Sequence, residues 1–229
     1  MITNGRTEQP LSTRAFVLGN GPSLSLTPFH LLKNEVTFAT NRIRLIYKDT
    51  DWRPTYYVRS ESAHDLDPIL WTEDVLVHLN DESVTTYCNV WFTKWLERNH
   101  HTYKKTPHTL QTCSHYTRHY DDENCPHLWH LPIVCSFGSS VNVAIQIAVR
   151  LGYSPIYLIG CDLGYKDGEP SHFEAGYEDG HVLRKAKYAN LDTLTAHMIA
   201  KRSSPVPIYN AGIGGELEVY DRVRIEDLF

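Results

Sequence analysis

At 229 residues, 41% hydrophobic and 21% charged, the chain can bury one sizeable core, and its composition demands no second domain. A formal charge of −5 supplies no basic field for a polyphosphate backbone and argues against nucleic acid as the main partner. The polar stretch Met1 to Arg14, the lack of any run near the roughly 20 apolar residues that span a bilayer, and five irregularly spaced cysteines (Cys88, Cys113, Cys125, Cys135, Cys161) predict a cytoplasmic protein with no transmembrane segment and no disulfide framework.

The apolar run Arg14 to Leu18 reads as a strand that ends in the turn Gly19-Asn20-Gly21-Pro22-Ser23, and Thr27 to Lys33 reads as a short helix after Pro28. Residues 35–40 (EVTFAT), 55–59 (TYYVR) and 75–79 (VLVHL) are rich in β-formers and are expected as further strands. Val90 to Arg98 fits a helix. Residues 99–130 carry many His, Thr, Tyr and Asp side chains without periodicity, which predicts an irregular His/Cys-rich insertion or lid over about 99–135.

The clearest unit follows. Val141, Ala144, Ile145, Ala148 and Val149 recur at helical spacing, Gly152 supplies a stop, and Ile156 to Gly160 (IYLIG) suits a parallel strand buried on both faces. Val182 to Arg202 is a second long helix, Pro207 to Asn210 a last core strand, and Gly212 to Gly215 a turn from which the tail packs back on the body. This grammar predicts a single-domain α/β fold of Rossmann-like type, with a mostly parallel sheet and helices on both faces.

Two features point to an anionic ligand. The turn from Gly19 to Ser23 lets the backbone approach a phosphate or ribose closely, or else is an ordinary tight connection; it fits neither G-x-G-x-x-G nor a Walker loop. Ser136-Phe137-Gly138-Ser139-Ser140 opens the long helix, where the hydroxyls either cap it or donate to a bound phosphate. Two such strand ends aimed at one crevice are how open α/β sheets build a ligand site.

Metal chemistry has weaker signals. Cys113, His115, His119, Cys125, His127 and His130 cluster in sequence, but without a Cys-x-x-Cys pair or the spacing of a zinc finger. Asp49-Thr50-Asp51 and Asp65-Leu66-Asp67 follow no convincing buried strand and read as solvated turns. Trp91 and Trp95, at i and i+4, read as a core or interface face with Phe92.

The run FVLGNGPSL (16–24), Asn41 in ATNR, the block GSSVNVAIQIAVRLGYSPIYLIGCDLGY (138–165) and His181 together resemble the bacterial sialyltransferases that decorate lipooligosaccharides. With IYNAGIGGELEVY (208–220) they also resemble a broad family that includes hydroxymethylpterin pyrophosphokinase-like and flagellin glycosyltransferase-like proteins. The sialyltransferase resemblance implies a CMP-linked sugar donor, a glycan or other hydroxyl acceptor, inverting transfer with no metal and no cofactor, and a dimer or tetramer.

On that resemblance, Asn20 and Gly21 lie against the nucleotide, Asn41 contacts donor ribose or phosphate, and Ser139 and Ser140 meet the donor. Asp162 shapes the nucleotide pocket, Tyr165 stabilises the phosphate with Tyr177 as the candidate second tyrosine, and His181 is the base, with His172 its rival. The chain departs from the family pattern at Asn41-Arg42, where Asn-Gln is usual, and at Gly138-Ser139-Ser140, where Thr-Ser-Gly is usual. The second resemblance implies instead an Mg²⁺-dependent pyrophosphokinase acting on a pterin-like alcohol, and a non-catalytic nucleotide-binding protein is the third alternative.

Overall fold

A computed structural model of the chain describes residues 13–60, 68–113, 128–129, 131–135, 138–177 and 186–229. Eight parallel strands form the centre: β1 (Ala15–Leu18), β2 (Thr37–Thr40), β3 (Tyr56–Arg59), β4 (Thr85–Asn89), β5 (His108–Thr112), β6 (Ile133–Val134), β7 (Ile156–Ile159) and β8 (Ile208–Asn210). Their order is β6-β5-β4-β3-β2-β1-β7-β8. The chain therefore starts in the middle, builds outward to one edge, and then crosses back to place β7 on the free side of β1.

Side chains alternate across the pleat and give the sheet two cores. Ala15 and Val17 of β1, with Phe38, Val58, Ile156 and Leu158, pack under α3 (Ser140–Arg150) and α4 (Ala186–Ser203). Phe16 and Leu18, with Ala39, Tyr57 and Ile159, pack on the opposite face under α1 (Pro68–Asn80), α2 (Val90–Arg98) and short 3-10 segments. This is the α/β, Rossmann-like architecture expected, and the sheet is parallel throughout. Among the described residues no helix is long and apolar enough to cross a membrane.

The helix ends follow their sequence signals. Asn89 caps α2 by accepting the Trp91 N–H, and Ser139 caps α3 by accepting from Asn142 N. Gly152, at φ +89°, closes α3 in the left-handed region while the Tyr153 N–H reaches back to the Ala148 carbonyl.

Three expectations need correction. Residues 75–79 are not a strand but the end of α1: Val75, His78 and Leu79 are buried while Val77 is exposed, a helical period. The helix expected over 27–33 is the 3-10 segment Phe29–Asn34, which Pro28, having no N–H to donate, sets off from a preceding 3-10 segment, Pro22–Leu26. Residues 99–135 are not irregular throughout: His108–Thr112 and Ile133–Val134 are strands of the sheet, with Leu110 and Val134 buried. The tail does pack back: Leu217, Tyr220 and Ile225 are buried, and Arg222 bridges to Asn210.

Candidate functional site

Strand order reverses between β1 and β7, and at their carboxyl ends the connections diverge to opposite faces, leaving a crevice. A cleft of about 140 Å³ lies there. The loop after β1 (Gly19, Asn20, Gly21), the residues after β2 (Thr40, Asn41), those after β7 (Gly160, Cys161, Asp162) and the first residues of α3 (Gly138 to Val141) make its walls.

The glycines of the first wall serve close packing. A Cβ on Gly19 would stand 2.5 Å from the Gly160 carbonyl oxygen, and one on Gly21 would stand 2.6 Å from the Asp162 carboxylate. Gly19 N–H donates to the Ile159 carbonyl and Gly21 N–H to that of Gly160, both at 2.8 Å. Ser23 donates its N–H to Asp162 Oδ2 at 2.6 Å and its hydroxyl to Oδ1. Pro22 has no N–H. The loop expected to cradle a phosphate thus gives its amide hydrogens at 19, 21 and 23 to the end of β7, a zipper between two parallel strands that run past their last ladder bonds.

Asn20 differs. Its amide nitrogen donates to the carbonyl and hydroxyl of Thr40, each at 3.1 Å. The Thr40 carbonyl can only accept, so the amide orientation is fixed and Oδ1 faces away; that oxygen is buried with no hydrogen-bond partner among the described residues.

The donor-rich wall is α3. The opening N–H groups of a helix have no intrahelical acceptor and carry the positive end of the dipole. Gly138, at φ +82°, turns the chain into this helix, and Ser139 is engaged as its cap. The Ser140 hydroxyl reaches Asn41 Oδ1 at 3.3 Å and Ser60 Oγ at 2.8 Å, tying the helix start to the ends of β2 and β3. Asn41 sits at φ +52° and its carbonyl accepts from the Tyr57 hydroxyl at 2.8 Å.

A strap from Leu163 to Tyr177 crosses the mouth and carries Tyr165, Ser171 and His172 into the lining. It is held down at four places. Asn190 of α4 grips the Tyr165 backbone from both sides, accepting its N–H at 2.8 Å and donating to its carbonyl at 2.7 Å. Phe173 N–H donates to the Asn20 carbonyl, and Lys48 pairs with Glu174 at 2.9 Å. Arg42 donates to the carbonyls of Gly176 and Tyr177. Arg42 is itself braced by the buried carboxylate of Asp74, which also lies 2.5 Å from Arg44. Burial raises the Asp74 pKa although Arg44 and Arg42 pull it down. The His172 ring lies flat on Tyr177, 3.9 Å between centroids.

Of the residues expected from sequence, Gly19, Asn20, Gly21, Asn41, Gly138, Ser139, Ser140, Asp162, Tyr165 and His172 therefore meet at one cleft. Pro22 and Ser23 do not line it and act behind its wall. His181 lies outside the described residues, as do Ser136, Phe137, Asp65 to Asp67 and every member of the Cys/His cluster except Cys113. Asp49 and Asp51 are exposed and away from the cleft. The sequence reading missed Thr193 and His197 of α4, both in the lining. A histidine between Ala196 and Ile199 on the buried stripe of a helix was the available signal.

A family described as 6-hydroxymethylpterin diphosphokinase MptE-like matches residues 3–168. No curated protein matches the chain by sequence. Among solved structures, a MAf glycosyltransferase from Magnetospirillum magneticum AMB-1 superimposes with a TM-score of 0.60 at 16% identity, over 97% of this chain and 35% of that one. The likeness is one of fold, and this chain spans about a third of that protein's length.

Proposed function

This chain belongs to the 6-hydroxymethylpterin diphosphokinase MptE-like family, and from that premise we propose that it is a transferase moving a sugar from a nucleotide-activated donor, a CMP-sugar first, to an acceptor hydroxyl. One observation carries the reading: the start of α3, at Gly138 to Val141, opens on a cleft at the reversal point of a parallel sheet. Backbone N–H groups and a helix dipole aimed at one spot stabilise a leaving phosphate with no metal required. Tyr165 adds a hydroxyl, Asn41 meets the ribose or phosphate, and the orphaned Asn20 Oδ1 takes a ligand hydroxyl. The acceptor proton goes to His181 or His172. The reading treats the chain as one nucleotide-sugar-binding domain.

The family's description favours a second reading, diphosphoryl transfer from ATP to a pterin-like alcohol. Such transfer uses a divalent cation held by carboxylates. Among the described lining residues Asp162 is the one carboxylate, and both its oxygens are engaged by Ser23, which favours the sugar transfer.

Thermal-shift titration with CMP, UDP, GDP and ATP, each with Mg²⁺ and with EDTA, separates the two. Stabilisation by CMP that survives EDTA is expected. Stabilisation by ATP alone, and only with Mg²⁺, would replace this reading with the second. Donor hydrolysis in His181→Ala and His172→Ala then assigns the base, and full activity in His181→Ala removes that residue from the mechanism.

A further inference from the structure

His197 lies on α4, is 2% exposed, and lines the cleft one turn beyond Thr193. Its partner is Tyr220, brought back by the tail and also buried, with the two rings edge to face at 5.5 Å. One assignment of the protons satisfies both contacts between them at once. The Tyr220 hydroxyl donates to the His197 backbone carbonyl at 3.0 Å, and a carbonyl can only accept. The single hydroxyl proton is thereby used. The second contact, 3.1 Å between His197 Nδ1 and the Tyr220 oxygen, must then run from Nδ1–H to that oxygen.

A neutral imidazole with its proton on Nδ1 carries a lone pair on Nε2. Among the described residues Nε2 has no hydrogen-bond partner. His197 lines the cleft and Nδ1 is turned to Tyr220, which leaves the Nε2 edge for a ligand. Burial pushes the His197 pKa down to about 4, so the ring stays neutral at physiological pH and is an acceptor there, never a cation for phosphate. That separates it from the α3 start, which supplies donors.

We propose that His197 is a specificity residue of the cleft: its tautomer, set by Tyr220, presents Nε2 as a fixed acceptor for an O–H or N–H group of the ligand. The inference rests on the nucleotide-donor reading above. It adds a requirement to the ligand class: besides a phosphate at α3, the ligand brings a hydrogen-bond donor to α4, as a ribose hydroxyl or a base amino group does and a simple phosphate does not. A ligand that offers an acceptor there instead leaves two lone pairs face to face and is rejected.

Two isosteric substitutions test this in the full chain. His197→Asn puts an amide N–H where Nδ1 was, keeping the bond to Tyr220, and deletes the acceptor. His197→Gln carries a polar atom to the position of Nε2. Titration with CMP is expected to give about tenfold weaker binding in His197→Asn, the worth of one hydrogen bond to a buried acceptor, and recovery in His197→Gln. Tyr220→Phe keeps the acceptor but frees the tautomer, and falls between. Imidazole ¹⁵N spectra of the unsubstituted protein should show Nε2 as the unprotonated nitrogen and Nδ1 as the protonated one, with the Nε2 signal moving on CMP addition. CMP binding in His197→Asn equal to that of the parent, or a proton found on Nε2, overturns the proposal alone. Absence of binding by the parent to either CMP or Mg²⁺-ATP overturns the nucleotide reading and this inference together.

Discussion

Asp162 holds Ser23 twice, accepting the Ser23 N–H on Oδ2 at 2.6 Å and the Ser23 hydroxyl on Oδ1. The pair joins the end of β7 to the loop after β1, so the two strands that flank the cleft are locked together at their carboxyl ends.

Removing that lock should loosen the cleft before it unfolds the protein. Ser23→Ala deletes one of the two bonds, Asp162→Ala both, and hydrogen bonds to a charged acceptor are worth about 1.5–3 kcal/mol each. Urea denaturation should show Asp162→Ala less stable than Ser23→Ala, and nucleotide-induced thermal stabilisation should shrink in the same order. An Asp162→Ala protein as stable as the parent would mean the lock is idle.

Gly21→Ala is expected to cost about 2 kcal/mol through overpacking, because the new methyl meets a carboxylate that Ser23 prevents from swinging away. The Gly21 backbone, at φ −65° and ψ 164°, is ordinary, so the cost is steric. Gly152→Ala is the contrast: nothing lies within 4 Å of its Cβ, but φ is +89°, and about 1 kcal/mol from backbone strain alone is expected. Adding Ser23→Ala should relieve the first substitution and leave the second unchanged, which a double-mutant cycle reads directly.

The strap should respond to Arg42 and ignore Lys48. The pair of Lys48 and Glu174 is solvent-exposed on the lysine side and contributes at most about 1 kcal/mol. Arg42 donates to the part-buried Tyr177 carbonyl as well as to the exposed one of Gly176, and is paired with buried Asp74. Stopped-flow mixing with a fluorescent nucleotide should therefore give faster association and faster dissociation in Arg42→Ala, and rates near the parent's in Lys48→Ala. Equal rates in all three would detach the strap from ligand entry.

Acid should destabilise the fold through two histidines. His78 is stacked on Tyr57, accepts from the Tyr47 hydroxyl and contacts the Asp74 carbonyl through Nδ1. Burial lowers its pKa to about 4, as it does for His197, from 6.5 in the unfolded chain. Below 6.5 the unfolded chain binds more protons than the folded one. Stability is therefore fully present above that pH and falls as pH drops from 6.5 toward 4, by about 3 kcal/mol per histidine at the lower limit. Urea midpoints at pH 7, 5.5 and 4.5 should trace this loss, and His197→Asn should flatten it. A curve level down to pH 4.5 would contradict the neutral, buried state of both rings.

The sequence announced the centre of this fold more clearly than its flank. Residues 141–159 were legible because α3 and β7 are buried by apolar side chains with clean periods, and the loop at 19–23 because its glycines follow a strand. The end of α1 was not, since its buried face carries Asp74 and His78, polar groups that interrupt the helical stripe and leave VLVHL looking like a strand. Strand β4 hides its burial behind Thr86 and Asn89, polar side chains that are nonetheless buried. At the cleft, residue types were readable and their bonding was not. Gly19, Gly21 and Ser23 look like phosphate ligands until β7 is beside them, and His197 is one histidine among 13 until Tyr220 arrives from the tail.

The position of β1 between β2 and β7 has a consequence for the protein's biogenesis. One wall of the cleft is complete soon after Asn41 leaves the ribosome, but the facing wall awaits α3 and β7, and the acceptor on its far side awaits α4 and the tail. A nascent chain thus leaves Ala15 and Val17 of β1, on the face that packs under α3 and α4, uncovered until those helices have been made. On the proposed function, a nucleotide can be held only once that strand has been enclosed, and its binding would mark a finished molecule.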